Sequence, residues 1–175
     1  MIQSYILLIV GHSCSGKSTL VKKLQSILPG SYHIGFDKIK WWLSGYDREK
    51  DIALVRSLLY GFIEVILKQQ LVSIVDIFFR NAEAYAELST LAESHDYRVI
   101  SIELHCPEEI RLERFRERVK KAREEKSTHI SVTDEWVFLK NMKKPMYFPA
   151  NSIVFDTSVQ STEEIIKSIL TVLET

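Results

Sequence analysis

The segment at positions 11–18 constrains the fold more than any other part of this 175-residue chain. It reads Gly-His-Ser-Cys-Ser-Gly-Lys-Ser and matches the pattern G-x-x-x-x-G-K-S, a loop that wraps phosphate groups. Residues 5–10, before it, are almost wholly apolar, which is typical of a parallel strand buried on both faces. Apolar residues then recur at helical spacing over 20–28, until Pro29-Gly30 stops the helix. The pattern therefore predicts a phosphate-binding loop between a buried strand and a helix N-terminus.

The residue types in this loop suit phosphate chemistry. Glycines at 11 and 16 let the backbone turn tightly, so that loop amides and the helix dipole converge on an anion. Lys17 is expected to contact the β- and γ-phosphates of a nucleotide, and the Ser18 hydroxyl to bind Mg²⁺. Cys14 is expected to be a small filler rather than a nucleophile. The predicted nucleotide-binding residues of the loop are Gly11, His12, Ser13, Cys14, Ser15, Gly16, Lys17, Ser18 and Thr19.

Composition narrows the class of protein. The chain has 23 basic and 23 acidic residues, so no global charge indicates a nucleic-acid or membrane partner. Its two cysteines form no disulfide framework, which favours a cytoplasmic protein. The apolar N-terminal segment is too short to span a bilayer and leads straight into the loop, so neither a transmembrane helix nor a signal peptide is expected. We expect residues 1–175 to form one domain.

Two aspartates are predicted to lie at the carboxyl edge of the sheet, where open α/β sheets bind ligands. Asp37 follows a predicted short strand over 33–36, and Asp76 ends a predicted buried strand over 71–76. Asp37 could accept or orient the proton of an acceptor hydroxyl, or it could cap a helix over 38–43. Asp76 could be the magnesium-side carboxylate of the nucleotide site, or a strand-end cap.

Other residues near this edge are candidates for the acceptor site. Arg80 and Asn81 follow Asp76 and could contact substrate or belong to a surface loop. Trp41 and Trp42 follow Asp37, and we expect one of them to pack in the core while the other could line an acceptor pocket.

A charge-rich stretch over 111–126 holds eight basic and four acidic residues. Within it, Arg114 and Arg118 are four apart and share one helix face. A solvated helix with internal ion pairs would explain most of these charges. The local basic excess would also place cations above a triphosphate, which needs them on more than one side.

The rest of the chain continues to alternate strands and helices. Residues 127–131 are predicted to form a mobile loop, and residues 134–142 a helix with Trp136 and Leu139 on its apolar face. Further strands are expected over 97–104 and 153–155, and further helices over 51–70, 82–94 and 163–173. The alternation predicts a five-stranded parallel sheet covered on both sides.

With these motifs in this order, the chain resembles the small P-loop kinases. That group includes nucleoside monophosphate kinases, gluconate and shikimate kinases, polynucleotide 5′-hydroxyl kinases, chloramphenicol phosphotransferase and zeta toxins. The resemblance rests on the loop at 11–18, on Asp37 and Asp76, on Arg114-x-x-x-Arg118 after a Cys-Pro-Glu-Glu turn, and on Asp156-Thr157-Ser158. It implies a three-layer α/β P-loop NTPase fold with strand order 2-3-1-4-5 and an arginine-rich lid at about 111–131.

The resemblance also implies residue roles. Arg114 would stack on adenine, Arg118 would contact phosphates, and Asp156 and Thr157 would border the adenine. Related polynucleotide and antibiotic kinases often carry Asp-x-x-Arg after the second strand, but here Lys40 takes the arginine position and lacks its bidentate fork. The Ile-Phe-Phe run at 77–79 suggests a more apolar acceptor pocket.

These observations predict an enzyme that uses ATP and Mg²⁺ to move the γ-phosphoryl group to a hydroxyl of a small-molecule acceptor. The predicted catalytic residues are Lys17, Asp37, Arg114 and Arg118. The predicted acceptor-binding residues are Asp37, Lys40, Arg80 and Asn81, and the predicted metal ligands are Ser18 and Asp76. A polynucleotide 5′-hydroxyl kinase, disfavoured by the neutral charge, and an ATP-binding switch without an acceptor are the alternatives. A monomer or a homodimer is expected, with no membrane partner; the acceptor and the choice between ATP and GTP stay open.

Overall fold

The computed structural model describes residues 4–126 and 132–174, and a five-stranded parallel sheet forms their centre. The strands are β1 (Tyr5–Gly11), β2 (Tyr32–Gly35), β3 (Ser73–Asp76), β4 (Arg98–His105) and β5 (Ile153–Asp156). Their order across the sheet is β2-β3-β1-β4-β5, which confirms the predicted order 2-3-1-4-5.

Helices cover both faces of the sheet. They are α1 (Lys17–Ile27), α2 (Phe36–Lys40), α3 (Arg48–Lys68), α4 (Ala82–Glu93), α5 (Glu108–Glu124), α6 (Glu135–Met142) and α7 (Thr162–Leu173). Within the described part of the chain, none of them is both long and apolar enough to cross a membrane.

Side chains of β1 alternate between two hydrophobic cores because successive residues of a strand point to opposite faces. Ile6 and Leu8 pack with α3 and α4, whereas Leu7 and Ile9 pack with α1 and α7. All of β1 is buried, so the strand that leads into the phosphate-binding loop is held from both sides. This burial fixes the position of the loop at the carboxyl edge of the sheet.

Helices α5 and α6 form a third, smaller core. The rings of Phe115 and Phe138 stack with centroids 4.1 Å apart, and Val119 and Met142 complete the cluster. The prediction that Trp136 lies on the apolar face of α6 is wrong, because Phe138 and Met142 occupy the buried face and Trp136 is exposed. The predicted mobile loop over 127–131, which is also the end of the predicted lid, lies outside the described residues.

The segment after β2 differs from the prediction. Strand β2 ends at Gly35, which is the N-cap of α2, so Asp37 lies inside the first turn and the alternative that it caps a helix over 38–43 is wrong. Trp41 and Trp42 are 42% and 67% exposed, so neither packs in the core. Helix α2 has only five residues, and Phe36 and Ile39, three apart, take its buried positions.

Candidate functional site

The loop between β1 and α1 requires glycine at both of its ends. Gly11 has a φ of 153°, and a Cβ there would lie 2.6 Å from Ser15 Oγ and 2.7 Å from the Leu104 carbonyl oxygen. Gly16, the N-cap of α1, is left-handed with a φ of 96° and offers no side-chain cap. The first amides of α1 therefore lack a capping side chain, which leaves them as donors for an anion.

Lys17 folds back over the loop. Its Nζ donates to the carbonyl oxygens of Gly11 at 2.8 Å and His12 at 3.0 Å. Ser18 and Thr19 are exposed in the first turn of α1. The loop thus carries one cation at its opening and two exposed hydroxyls beside it.

Asp76 lies between the loop and Asp37. At the end of β3, Asp76 is in register with Ile9 of β1 on one side and with Gly35 of β2 on the other. Ile9 lies two residues before Gly11, and Gly35 lies two residues before Asp37. Burial raises the pKa of Asp76, the charge of Lys17 opposes this rise, and the charge of Asp37 adds to it. The structure therefore brings Lys17, Asp76 and Asp37 together at one edge of the sheet.

Asp37 is paired with Lys40 from the next turn of α2. The Lys40 Nζ donates to Asp37 Oδ1 at 2.6 Å and lies over the rings of Trp41 and Tyr46, at 5.1 and 6.0 Å from their centroids. The Lys40 side chain is only 11% exposed, whereas that of Asp37 is 78% exposed. The aromatic rings thus hold the cation, and the cation orients an accessible carboxylate. Sequence reasoning singled out both charges but not their pairing or Tyr46.

The predicted metal ligands fit magnesium in chemical type. Ser18 supplies a hydroxyl oxygen and Asp76 a carboxylate oxygen, and Mg²⁺ in nucleotide sites takes few protein oxygens beside water and phosphate. In residues 4–126 and 132–174, no cluster of three or more His, Cys, Asp or Glu side chains could hold a metal by itself. The two oxygens therefore suit a magnesium ion that nucleotide phosphates also hold.

Arg114 ties α5 to the segment after β5. Its Nη1 donates to Thr157 Oγ1 at 3.0 Å and its Nη2 to the Thr157 carbonyl at 2.6 Å. Thr157 Oγ1 in turn donates to the Ser15 carbonyl at 3.0 Å, so this segment contacts the phosphate-binding loop. Asp156 lies beside it, and hydrogen bonds from the hydroxyl and amide of Ser158 lower the pKa of Asp156.

Three other predicted site residues have different surroundings. Arg118 is one turn beyond Arg114, with its guanidinium 5.8 Å from the Phe115 ring. Asn81 is the N-cap of α4, and its Oδ1 accepts from the Ala84 amide at 3.1 Å. Arg80 is exposed at the sheet edge. The structure does not bring Arg118 into hydrogen-bond contact with the loop in the described residues.

The segment over 145–149 was not singled out by sequence reasoning. The Tyr147 amide donates to the Phe79 carbonyl at 2.9 Å in an antiparallel bridge, and the Phe148 ring lies edge-on to His12 at 5.5 Å. Burial, with the charges of Arg111 and Lys17, lowers the pKa of His12. This segment therefore contacts both the residues after β3 and the phosphate-binding loop. The only signal for it in the sequence is a pair of prolines around two aromatic residues.

Arg111 was also missed, because the sequence places it in a solvated charge-rich helix. It is buried, its Nε donates to the Cys106 carbonyl at 3.0 Å, and its Nη1 has no hydrogen-bond partner in the described parts of the chain. Its charge reaches His12 in the loop. A second positive charge, in addition to that of Lys17, therefore acts on the loop.

Comparison with protein families supports the motif. A family model described as an AAA domain matches residues 6–137, which is most of the chain and includes the loop, both aspartates and Arg114. The chain belongs to this AAA domain family, AAA_33. A comparison with curated protein sequences gives no match.

Solved structures with the same fold include proteins described as kinases. A Chloroflexus aurantiacus protein described as a candidate kinase is 18% identical, with a TM-score of 0.74 over 97% of this chain and 98% of that one. The Mycobacterium tuberculosis APS kinase, solved with AMPPNP and APS, is 16% identical, with a TM-score of 0.66 over 99% of each chain. A gluconokinase from Sinorhizobium meliloti is 15% identical, with a TM-score of 0.64 over 96% of this chain and 90% of that one. The predicted resemblance to small P-loop kinases and the predicted fold class are confirmed.

Proposed function

We propose that the protein is an ATP-dependent phosphotransferase that moves the γ-phosphoryl group to a hydroxyl of a small-molecule acceptor. The observation that carries this proposal is the position of Asp76 between Lys17 and Asp37. A site that only binds a magnesium nucleotide needs Lys17 and one carboxylate, that of Asp76. A second, exposed carboxylate oriented by Lys40 is what an acceptor hydroxyl requires.

On the nucleotide side, residues 11–19 bind the phosphates of ATP through the free amides of α1 and through Lys17, which exchanges its carbonyl partners for phosphate oxygens. Ser18 and Asp76 would hold the magnesium of the nucleotide, and that ion would neutralise charge on the phosphates. Asp156 and Thr157 border the adenine. Arg114 keeps that segment against the loop through its two hydrogen bonds to Thr157.

On the acceptor side, Asp37 accepts the hydroxyl proton while the hydroxyl oxygen attacks the γ-phosphorus. The bond from that phosphorus to the β,γ-bridging oxygen breaks, and ADP leaves. Lys40 holds Asp37 in place, and Arg80 and Asn81 contact the acceptor at the same edge, Asn81 through its amide NH₂. Arg118, an exposed residue of α5, contacts the transferring group. Positioning and charge neutralisation supply the catalysis.

Structural neighbours add support from their stated activities. The APS kinase was solved with AMPPNP and APS, and another neighbour is a gluconokinase. Both have the fold described above over nearly all of this chain. The single-domain organisation, the cytoplasmic location and the monomeric or homodimeric state remain predictions.

A screen of ATP consumption tests the proposal. Purified protein with Mg²⁺ and ATP is offered nucleosides, sugars, antibiotics and 5′-hydroxyl oligonucleotides, and ADP formation is measured against Lys17→Met. ADP formation that depends on one class of small hydroxyl compound supports the proposal. Transfer to oligonucleotides alone would replace it with a polynucleotide 5′-kinase. Slow hydrolysis that is independent of every acceptor would replace it with a nucleotide-dependent switch.

A further inference from the structure

One face of α3 packs in the core, and the opposite face is uncharged although it is exposed. The buried face includes Val55, Leu59 and Ile63. A helix on a protein surface normally presents charged residues to solvent, but between positions 53 and 65 the exposed residues of α3 carry no charge. These exposed residues are Ala53, Leu54, Ser57, Leu58, Gly61, Phe62 and Val65.

Trp42 extends this face beyond α3. Its ring lies edge-on to that of Phe62, with the two centroids 5.4 Å apart. Both rings are exposed, so the contact between them leaves an aromatic surface open to solvent. We give the name α3 surface to six residues, which are Trp42, Leu54, Leu58, Gly61, Phe62 and Val65.

The α3 surface is large enough for one side of a dimer interface. Its five large side chains are between 42% and 67% exposed, which leaves roughly 500 Å² in contact with solvent, near the upper end for the largest apolar patch of a monomer. A standard interface buries about 800 Å² of each partner, and about 65% of a homodimer interface is apolar. Each copy in such a dimer therefore needs about 520 Å² of apolar surface, close to what the α3 surface supplies.

Gly61 lies in the middle of this surface, and no contact within the described chain requires a glycine there. A Cβ at Gly61 would meet nothing within 4 Å in residues 4–126 and 132–174. Glycine is less favourable than alanine inside a helix, so the position carries a cost in helix stability. Glycine does allow another molecule to approach the helix backbone closely. A partner packed onto α3 would therefore account for it.

The spacing along α3 is that of a seam between two helices. Side chains that repeat at alternating intervals of three and four residues lie on one line along a helix and pack against a second helix. This line has apolar or small residues at its four central positions and one charge of opposite sign at each end. Its members are Asp51, Leu54, Leu58, Gly61, Val65 and Lys68.

This seam is complementary to itself when two copies run antiparallel. A two-fold axis through the midpoint between Leu58 and Gly61 brings Leu58 of one copy opposite Gly61 of the other. The same axis brings Leu54 of one copy opposite Val65 of the other. The large side chain of Leu58 thus faces the position that has no side chain, so large and small residues alternate across the axis.

The charges at the ends of the seam agree with this arrangement. The two-fold axis places Asp51 of one copy opposite Lys68 of the other, and it does so at both ends. Each charge also has a contact in its own chain, since Asp51 Oδ2 accepts from the Asp47 amide at 2.7 Å and Lys68 Nζ lies 2.6 Å from Glu64 Oε1. The contact across the axis therefore sets register and specificity more than affinity.

We propose that the α3 surface is the interface of a homodimer, in which the α3 helices of two copies pack antiparallel about a two-fold axis. The proposal does not depend on the proposed phosphotransferase activity. A second copy is favoured over an unrelated protein because apolar pairs, small residue and end charges all match under one axis. A membrane is disfavoured because helices that lie on bilayers are rich in Lys and Arg beside their apolar face.

Sedimentation velocity over a range of concentrations tests the proposal. We expect the native chain to be dimeric at micromolar concentrations, since interfaces of standard size bind in the micromolar range or more tightly. Leu58→Lys/Val65→Lys should raise the dissociation constant about a hundredfold or more, because it buries two charges from each copy in the seam. Both residues are exposed in the single chain, so the variant should stay folded by circular dichroism. The control Val154→Lys/Val159→Lys adds the same charge at two exposed valines outside the α3 surface and should dissociate like the native chain.

A mixing experiment tests the antiparallel register. Asp51→Lys alone places lysine opposite lysine at both ends of the seam, and Lys68→Glu alone places acid opposite acid. Each variant should dimerise about tenfold more weakly than the native chain. An equal mixture of the two should form heterodimers with about the native dissociation constant, because every end then pairs opposite charges. Mixing does not repair a folding defect, so recovery identifies the interface.

Four results would overturn the proposal. A native chain that stays monomeric at high concentration would show that no second copy binds. A dimer that persists in Leu58→Lys/Val65→Lys would place the interface elsewhere, and a mixture of the two charge variants that gains no affinity would reject the antiparallel register. A monomeric native chain whose KM for its acceptor rises in Leu58→Lys/Val65→Lys, with the KM for ATP unchanged, would assign the α3 surface to the acceptor instead.

Discussion

Arg114 in α5 and Thr157 after β5, 43 residues apart in sequence, are joined by two hydrogen bonds from one guanidinium, of 3.0 Å to the hydroxyl and 2.6 Å to the carbonyl. The same Thr157 hydroxyl donates to the Ser15 carbonyl of the phosphate-binding loop. Three segments that surround the proposed nucleotide therefore meet at one side chain. This connection joins both α5 and the segment proposed to border the adenine to the loop.

Arg114→Lys should loosen that connection while keeping the charge, because lysine cannot donate two hydrogen bonds in a fixed fork. We expect a loss of about 1 kcal/mol in the free energy of unfolding and a weaker affinity for AMPPNP. Thermal denaturation and calorimetry measure the two effects. Arg118→Lys is the matched control, since Arg118 contacts the Phe115 ring and not Thr157, and its melting temperature should be unchanged. An equal loss in the free energy of unfolding in both variants would contradict the role of the Thr157 contact.

Lys17→Met should abolish most ATP turnover without unfolding the protein. Methionine keeps much of the aliphatic stem and removes the charge that would stabilise the transferring phosphoryl group, which is worth about 10²–10³-fold in rate. Steady-state ADP formation and the melting temperature are the measurements. Turnover at the native rate in a folded variant would show that the phosphate-binding loop is not where ATP reacts.

Asp76→Asn and Asp37→Asn should separate the two carboxylates. Asp76 is assigned to the magnesium nucleotide, so its variant should weaken Mg²⁺-dependent binding of AMPPNP and lower all turnover together. Asp37 is assigned to the acceptor, so its variant should leave AMPPNP affinity nearly unchanged and lower transfer by about 10²–10⁴-fold.

The measurement for this pair is AMPPNP affinity by calorimetry beside the transfer rate with the acceptor from the screen. Denaturation curves control for the loss of the Asp37–Lys40 salt bridge, which lies at an exposed carboxylate. Native transfer rates in a folded Asp37→Asn protein would remove Asp37 from the mechanism.

His33 should make the protein less stable in mild acid. Burial, with a contribution from Lys38, lowers the pKa of His33 to about 4, and its Nε2 has no hydrogen-bond partner in the described residues. The unfolded chain, with a histidine pKa near 6.5, binds the proton more readily, so stability is lost as the pH falls from about 6.5 to 4. Above pH 6.5 the contribution of His33 to the free energy of unfolding does not change with pH.

Denaturant unfolding at several pH values checks this, with His33→Gln as the comparison. The raised pKa of Asp76 acts in the opposite direction, since its folded form holds a proton more readily than the unfolded chain does. The difference between the native and His33→Gln curves isolates the histidine. We expect that difference to change between pH 6.5 and 4; a constant difference would show that His33 does not titrate as described.

The elements with strong local signals were correctly predicted. Strand β1, the glycine loop and α1 follow from residues within about 25 positions of one another, because a buried strand, a positive-φ glycine and an amphipathic helix each depend on nearby residues. Strand β3 with Asp76 at its end was identified in the same way. The strand order came from resemblance to the small P-loop kinases, and the structure confirms it.

Errors arose where burial depends on a partner from another part of the chain. Helix α2 is so short that periodicity could not choose between Phe36, Ile39 and the tryptophans that follow. Trp136 was preferred to Phe138 because the sequence does not show that α6 packs on Phe115 of α5. Arg111 was assigned to solvent with its charged neighbours, although the end of β4 buries it beside Cys106.

The sequence by itself determined the phosphate-binding loop, Asp76 at the end of a strand, Asp37 shortly after another strand, and the class of fold, because these depend on residue types at short, fixed spacings. Tertiary structure alone decided that Asp76 lies between Lys17 and Asp37 and that Thr157 accepts two hydrogen bonds from Arg114. The physical reason is that charge–charge interactions and hydrogen bonds act over a few ångströms, whereas these partners are up to about 60 residues apart along the chain. Only the packed sheet and its crossovers bring them within that range.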